Sequence, residues 1–477
     1  MRHTVIIGGG ITGLATAFYL QRAAHDTVDV TLVESSPHPG GKITSRHENG
    51  FLIEGGPDSF IARKPATIQL CRDLGLEDEL IGANSEQHST YVLSRGVLHR
   101  FPDGVMPMLK SNLISWPGKL RLAAEAFLPP RFEDGDESLA SFVRRRMGAE
   151  VLDKMAAPLL AGIYAADPED LSLQGTFAML PELEKNYGSV LRGHLMQRWL
   201  RSRAQEQSAG HEKSSMFMTL RSGLQQLVET LTLHLTLVDI RLNCRVLAVM
   251  PIDNHYEVLL HDGSFLCADD IVFATPAYVT ADLVQEMDPS LADRLRRIRY
   301  VSTATVSLGF RQSDLKSPLN GYGFVVPRQE RRMITACSWS STKFAARAPD
   351  GYSLVRVFVG GACNERLAER EEAELVDLAR RELHSTMGIE AHPVVSRAYR
   401  WHKGNPQYDV GHQVRIAEIN RLAARHPRLY LAGAAYRGAG VPDCIESGAR
   451  VATRIAEQAS VGPQRHWKNN VQECVYG

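Results

Sequence analysis

The chain has 477 residues, with 54 basic and 54 acidic side chains, and 44% of it is hydrophobic. That length supports two or three lobes around a substantial core, while a net charge of zero gives no bulk attraction for nucleic acid or an anionic membrane. Seven scattered cysteines without a Cys-x-x-Cys pair argue against a disulfide framework or zinc ribbon, and no apolar run reaches the ~18 residues that span a bilayer.

The N-terminus runs straight into a β-branched strand, Val5-Ile6-Ile7, too short and glycine-rich to be a signal peptide. Gly8-x-Gly10-x-x-Gly13 follows at once, and residues 14–24 form a helix pattern. Gly8 suits a tight turn, Gly10 admits backbone to a pyrophosphate, and Gly13 lets helix and strand pack closely. Gly9, Ile11 and Thr12 complete a loop whose free N–H groups and helix dipole favour phosphate. A second strand, Val30-Thr31-Leu32-Val33, ends at Glu34. This acid lies about 20 residues after Gly13, the spacing of a carboxylate that binds a ribose diol. Strand, turn, helix, strand and acid together predict a dinucleotide site.

Pro39-Gly40-Gly41-Lys42 then points to FAD rather than NAD. Adjacent glycines permit a second close approach of backbone to ligand, which a longer dinucleotide requires. The strand Phe51-Leu52-Ile53-Glu54 enters another backbone-rich loop, Gly55-Gly56-Pro57-Asp58-Ser59-Phe60. Residues 85–207 read as mostly helical, with Ser138 capping a helix that runs to Arg146. The polar stretch 202–215 reads as a mobile connection. A strand at 216–220 leads through Gly223 into a helix, and three strand patterns follow at 245–249, 256–260 and 270–274, punctuated by Asp253-Asn254 and Asp262-Gly263. Residues 277–395 mix strands (303–310, 353–359) with a helix at 371–387. Near the C-terminus, a strand pattern at 428–433 meets a loop and the helix opening Val441-Pro442-Asp443, where proline and acid suit a first turn. Aimed at a flavin, that helix would favour charge on the pyrimidine side of the reduced ring; alone, it also reads as a capped surface helix.

These segments predict an α/β protein. A Rossmann-like FAD-binding domain is assembled from 1–84, 208–276 and 396–477. A helical lobe at 85–207 and an α+β substrate domain at 277–395 are inserted between its parts. The basic run Arg144-Arg145-Arg146 reads as a solvated helix face. No histidine spacing suggests a metal site, and neither a Gly-x-Ser-x-Gly elbow nor a P-loop is present.

With its matching words in view, the chain resembles the flavin-dependent coproporphyrinogen III and protoporphyrinogen oxidases, especially the soluble Gram-positive type. Those words are Ile7 to Gly13, Gly40-Gly41-Lys42-Ile43, Gly56-Pro57-Asp58-Ser59-Phe60, Pro158-Leu159-Leu160-Ala161-Gly162-Ile163-Tyr164, Trp401 with Pro406-Gln407-Tyr408-x-Val410-Gly411-His412, and Gly440-Val441-Pro442-Asp443-Cys444-Ile445. The resemblance implies FAD contacts at Gly8 to Gly13, Glu34, Ser35, Lys42, Gly56, Pro57, Asp58, Ser59, Val246 (through its backbone), Trp401, Ala439, Gly440 and Val441. It implies Lys64 and Arg63 at a substrate propionate, with Ile163, Tyr164 and Tyr322 lining the macrocycle pocket. Asn405 replaces the apolar residue more usual before Pro-Gln-Tyr, a change expected to tune packing.

The implied activity is a six-electron oxidation of coproporphyrinogen III to coproporphyrin III in two-electron steps. Molecular oxygen is the final acceptor, hydrogen peroxide is released, and no side chain is an essential acid or base. Protoporphyrinogen IX is the alternative substrate, and an amine oxidase on the same scaffold the more distant rival. The resemblance further implies a cytoplasmic protein in haem biosynthesis, in transient contact with a ferrochelatase, touching membrane at most peripherally.

Overall fold

The computed structural model describes residues 1–131, 135–206 and 215–461. Most of the connection read at 202–215, and Cys474, lie outside them.

A five-stranded parallel sheet organises the flavin side. Its order is Val238–Arg241, Val28–Val33, Arg2–Ile7, Asp270–Phe273, Leu429–Leu431. The apolar first strand is therefore central, with the second strand on one side and Asp270–Phe273 on the other. Its carboxyl end is the place where strand order reverses, which is where open α/β sheets bind ligands. Helix Ile11–Ala24 leaves from that end, three residues sooner than the apolar pattern at 14 suggests, because the glycine turn itself passes into the helix. The long last helix, Val441–Val461, packs beside it. Their shared core includes Leu14, Phe18, Leu20, Ile445, Ala452 and Ile455. The other face is covered by an antiparallel sheet of Val246–Ile252, His255–Leu260 and Phe265–Ala268, with Val258 and Leu266 packed towards Ile271 and Phe273.

A seven-stranded sheet forms the second body. Its order is Val395–Pro406, Tyr300–Arg311, Tyr352–Gly360, Ile334–Ser338, Gly323–Val325, Thr90–Ser94, Val97–Arg100. The last two strands come from the segment read as helical, and Thr90–Ser94 pairs in parallel with Gly323–Val325. The strand starting at Val395 continues to Pro406 across the boundary expected at 396, so Trp401 pairs within this sheet rather than within the five-stranded sheet of the flavin side. Helix Glu372–Met387 buries Leu375, Leu378 and Leu383 against the sheet. The helical lobe packs with Val92, Val325 and Ala336, also from this sheet. Within the lobe Ser138 caps Leu139–Arg146 as expected, its hydroxyl accepting the Ser141 N–H at 3.1 Å. Arg144-Arg145-Arg146 is not simply a solvated face. Arg146 is fully buried against Glu125, and Arg145 pairs with Glu137 and Glu184.

Candidate active site

The first glycine turn is shaped by close approach. A Cβ on Gly13 would lie 1.9 Å from the Gly8 carbonyl oxygen, and Gly8 itself has φ +109°. Gly10 has nothing within 4 Å of a built Cβ, so its surface stays open to a ligand. Glu34 is held against this turn. Its Oε2 accepts the Gly9 N–H at 2.7 Å, and its Oε1 accepts the Ser36 N–H at 2.8 Å. Ser35 stays exposed beside it, its hydroxyl 3.3 Å from Oε1. Cys244 N–H donates to the Glu34 carbonyl at 2.9 Å, which brings the buried Val246 to the same edge.

The second glycine loop closes on the first. Gly40 N–H donates to the Gly9 carbonyl at 2.8 Å, and a Cβ on Gly41 would stand 3.2 Å from Gly10 Cα. Lys42 crosses towards the second body and donates to the Gly404 carbonyl. Burial lowers its pKa, since the charged ammonium loses water there.

The third loop joins the two bodies. The Gly55 carbonyl accepts Thr305 Oγ1 at 3.0 Å, Trp401 Nε1 at 2.9 Å and an Arg356 nitrogen at 3.2 Å. Arg356 also donates to the Gly56 carbonyl. Gly56 could carry no side chain, because a Cβ would fall 1.7 Å from the Lys42 carbonyl oxygen. After Pro57, Asp58 accepts Ser59 Oγ at 2.7 Å and pairs with Lys343 at 3.3 Å. Burial would raise the Asp58 carboxyl, but the Lys343 and Arg356 charges and these hydrogen bonds hold it well below the usual range. Arg356, Lys343 and Thr305 were not singled out from the sequence.

At the fourth loop, Ala439 and Gly440 are exposed and Val441 is buried. Asp443 Oδ2 accepts the Gly440 N–H at 3.2 Å, and Oδ1 accepts Lys64 Nζ at 2.6 Å. Cys444 is buried against Thr12, with Lys42 nearby, and burial pushes its thiol up to about 11.

The expected substrate residues divide. Lys64 and Tyr164 converge on Asp443: burial raises the Tyr164 hydroxyl pKa and the Asp443 charge adds to it. The Tyr164 ring packs edge-on to Phe177 at 5.7 Å, and its neighbour Ile163 is 65% exposed. Arg63 is exposed and bonds to none of these. Tyr322 is tied elsewhere, its hydroxyl donating to the Asn84 carbonyl at 2.8 Å. Asn405 donates to Thr303 Oγ1 at 2.9 Å, a polar link between neighbouring strands. Among the described residues, His255, Glu257 and Cys267 form the one group whose potential metal-ligating atoms lie within 4.8 Å of one another. It sits on the outer antiparallel sheet, not at the glycine loops.

The cradle fits FAD. Glycine backbone lies open at Gly10, helix Ile11–Ala24 presents its N-terminus there, and an acid closes the second strand. The chain matches the family described as flavin containing amine oxidoreductase over residues 11–456. It is 36% identical to the coproporphyrinogen III oxidase of Bacillus subtilis, covering 94% of this chain and 96% of that one. Against the coproporphyrinogen III oxidase of Staphylococcus aureus it is 32% identical, covering 95% and 99%. A crystal structure from Exiguobacterium, assigned as a protoporphyrinogen oxidase, superposes with a TM-score of 0.85 at 31% identity, covering 96% and 99%. The chain belongs to the flavin-containing amine oxidoreductases, as an FAD-dependent enzyme of the branch that holds the coproporphyrinogen III and protoporphyrinogen oxidases.

Proposed function

We propose that the protein oxidises coproporphyrinogen III to coproporphyrin III, with molecular oxygen as final acceptor and hydrogen peroxide released. The observation that carries this reading is the 36% identity, over nearly the full length of both chains, with an enzyme named for that substrate. Bound FAD supplies the two-electron oxidation, repeated until the macrocycle is aromatic. The chain's own residues bind and orient. Gly8 to Gly13 receives the pyrophosphate, Glu34 the ribose diol, and Val246 the adenine edge through its backbone. Ser35, Lys42, Gly56 to Ser59, Trp401 and Ala439 to Val441 enclose the rest. Lys64 and Arg63 offer cations to propionates, and Ile163 and Tyr164 line the macrocycle side, while Tyr322, its hydroxyl held by the Asn84 carbonyl, stands apart from them. No side chain acts as an essential acid or base.

Protoporphyrinogen IX is the second reading, because the protoporphyrinogen oxidase of Bos taurus is 31% identical over 95% of this chain. Among the described residues no helix is long and apolar enough to cross a membrane. Work in the cytoplasm, with product passed in a transient contact to a ferrochelatase, completes the proposal. Purified FAD-loaded protein should oxidise coproporphyrinogen III faster than protoporphyrinogen IX, read by porphyrin fluorescence. The reverse preference would move it to the second reading, and activity on neither would sink both.

A further inference from the structure

Lys64 and Asp443 stand 379 positions apart and form an ion pair of 2.6 Å. Lys64 follows the loop at 55–59, and Asp443 sits in the first turn of helix Val441–Val461. The two partners are tethered unequally. The Asp443 side chain is only 15% exposed, and its second oxygen is fixed by the Gly440 N–H. A carboxylate in a first helical turn that reaches back to the helix start is stable there on its own account. The Lys64 side chain is 48% exposed, and its ammonium makes no other bond among the described residues. The acid is anchored; the cation is free to leave.

The surroundings show what the cation faces. Tyr164, from the helical lobe, feels the Asp443 charge, and Cys444 feels both members of the pair. The pair therefore marks the meeting point of lobe, glycine loop and last helix. With the Lys64 end half in water, the pair is partly screened and worth little net, so an incoming carboxylate has little to overcome when it takes Lys64.

We propose that Asp443 is an internal stand-in for a substrate carboxylate. It holds Lys64 in the free protein and yields it, by ion-pair exchange, to a ligand that brings its own carboxylate. No covalent bond changes. The exchange makes Asp443 a specificity-determining residue: a macrocycle without carboxylates cannot claim Lys64 and gains nothing from it. This rests on the porphyrinogen reading above.

The test titrates FAD-loaded protein with coproporphyrin III and with its tetramethyl ester, following porphyrin fluorescence. Asp443→Asn keeps an oxygen for the Gly440 N–H but removes the competing charge. It should tighten coproporphyrin III binding by about two- to fivefold, the worth of a half-exposed ion pair, and leave the ester unchanged. KM should fall with kcat little altered. Lys64→Met should weaken binding of the tetra-acid but not of the ester, and the Asn change should have no effect in the Lys64→Met background. A purely structural Asp443 would show no such dependence on Lys64. Tetra-acid binding that is no tighter in Asp443→Asn, or a gain that persists without Lys64, overturns the exchange while leaving the porphyrinogen reading intact. If the unmodified protein binds neither porphyrin, both fall. If Asp443→Asn sheds its flavin, Lys64→Met decides alone: unchanged tetra-acid affinity overturns the exchange.

Discussion

His412 is 2% exposed and lies flat on Tyr408, with ring centroids 4.0 Å apart and planes at 10°. Neither ring nitrogen makes a well-aligned hydrogen bond, although a Tyr436 backbone group lies close to the ring. Burial, helped by the Arg415 charge and opposed by Asp409, Asp136 and a Tyr436 backbone group, depresses its pKa to about 4. In the unfolded chain the value returns to about 6.5. Between those values the unfolded state binds a proton that the folded state refuses, so stability falls as pH drops through the window. The full effect is of the order of 3 kcal/mol. Asp270 works in the opposite direction over an overlapping range, because burial raises its carboxyl to about 6 despite Arg2. The readout must therefore be a difference. Denaturant midpoints of the protein and of His412→Phe, measured from pH 7.5 to 4.5, should converge as pH falls. A gap that stays constant with pH would show that His412 does not titrate as inferred.

The site residues legible in the sequence share one property: their meaning lies in local spacing. Gly8, Gly10, Gly13 and Glu34 form a pattern within one strand–helix–strand unit. Asp443 as the partner of Lys64 was not legible, because the two meet only through the tertiary fold. Arg356 and Lys343 escaped notice for a related reason. Arg356 sits on an otherwise apolar strand whose alternation predicts a buried position, and only the fold reveals the Gly55 and Gly56 carbonyls facing it.

Among elements, the decisive contact is between helix Ile11–Ala24 and helix Val441–Val461. Gly448 makes it possible. A Cβ there would lie 2.6 Å from the Thr12 carbonyl oxygen, 2.8 Å from Thr16 Oγ1 and 3.0 Å from Thr16 N. Two of these atoms are backbone, so a side-chain rotation cannot relieve the clash. Gly448→Ala should cost about 1–3 kcal/mol of stability. It should also speed FAD release, because Thr12 belongs to the glycine turn. Denaturation and flavin-release rates check this, and an alanine tolerated with both unchanged would refute it. The helices and long strands were legible because their periods are long. Phe265–Ala268 was missed because Asp262-Gly263 reads only as an end, although it turns the chain back into a hairpin. Thr90–Ser94 and Val97–Arg100 were missed because each is short and partly exposed, and their place depends on a partner strand beyond residue 320.

At the scale of the whole molecule, the five-stranded sheet takes strands from residue 2 to residue 431, so the flavin side is completed only by the last segment. It is also bonded to the seven-stranded sheet. Thr305, Arg356 and Trp401 all reach the Gly55 carbonyl, and Lys42 reaches Gly404. The first three loops expected to touch FAD are bonded through this junction or the glycine turn beside it. Losing the flavin should therefore loosen both bodies, and unfolding either body should expel the flavin. A ligand that binds only the folded state adds about 2.7 kcal/mol at a concentration a hundredfold above its Kd, so the midpoint should climb with added FAD. Trp339 and Trp401 report on the seven-stranded side, and flavin fluorescence reports on the other. Heating should give coincident transitions from both signals, shifting together as FAD is raised. Tryptophan change that precedes flavin release, at a temperature indifferent to FAD, would mean that the bonds at Gly55 do not couple the two sheets.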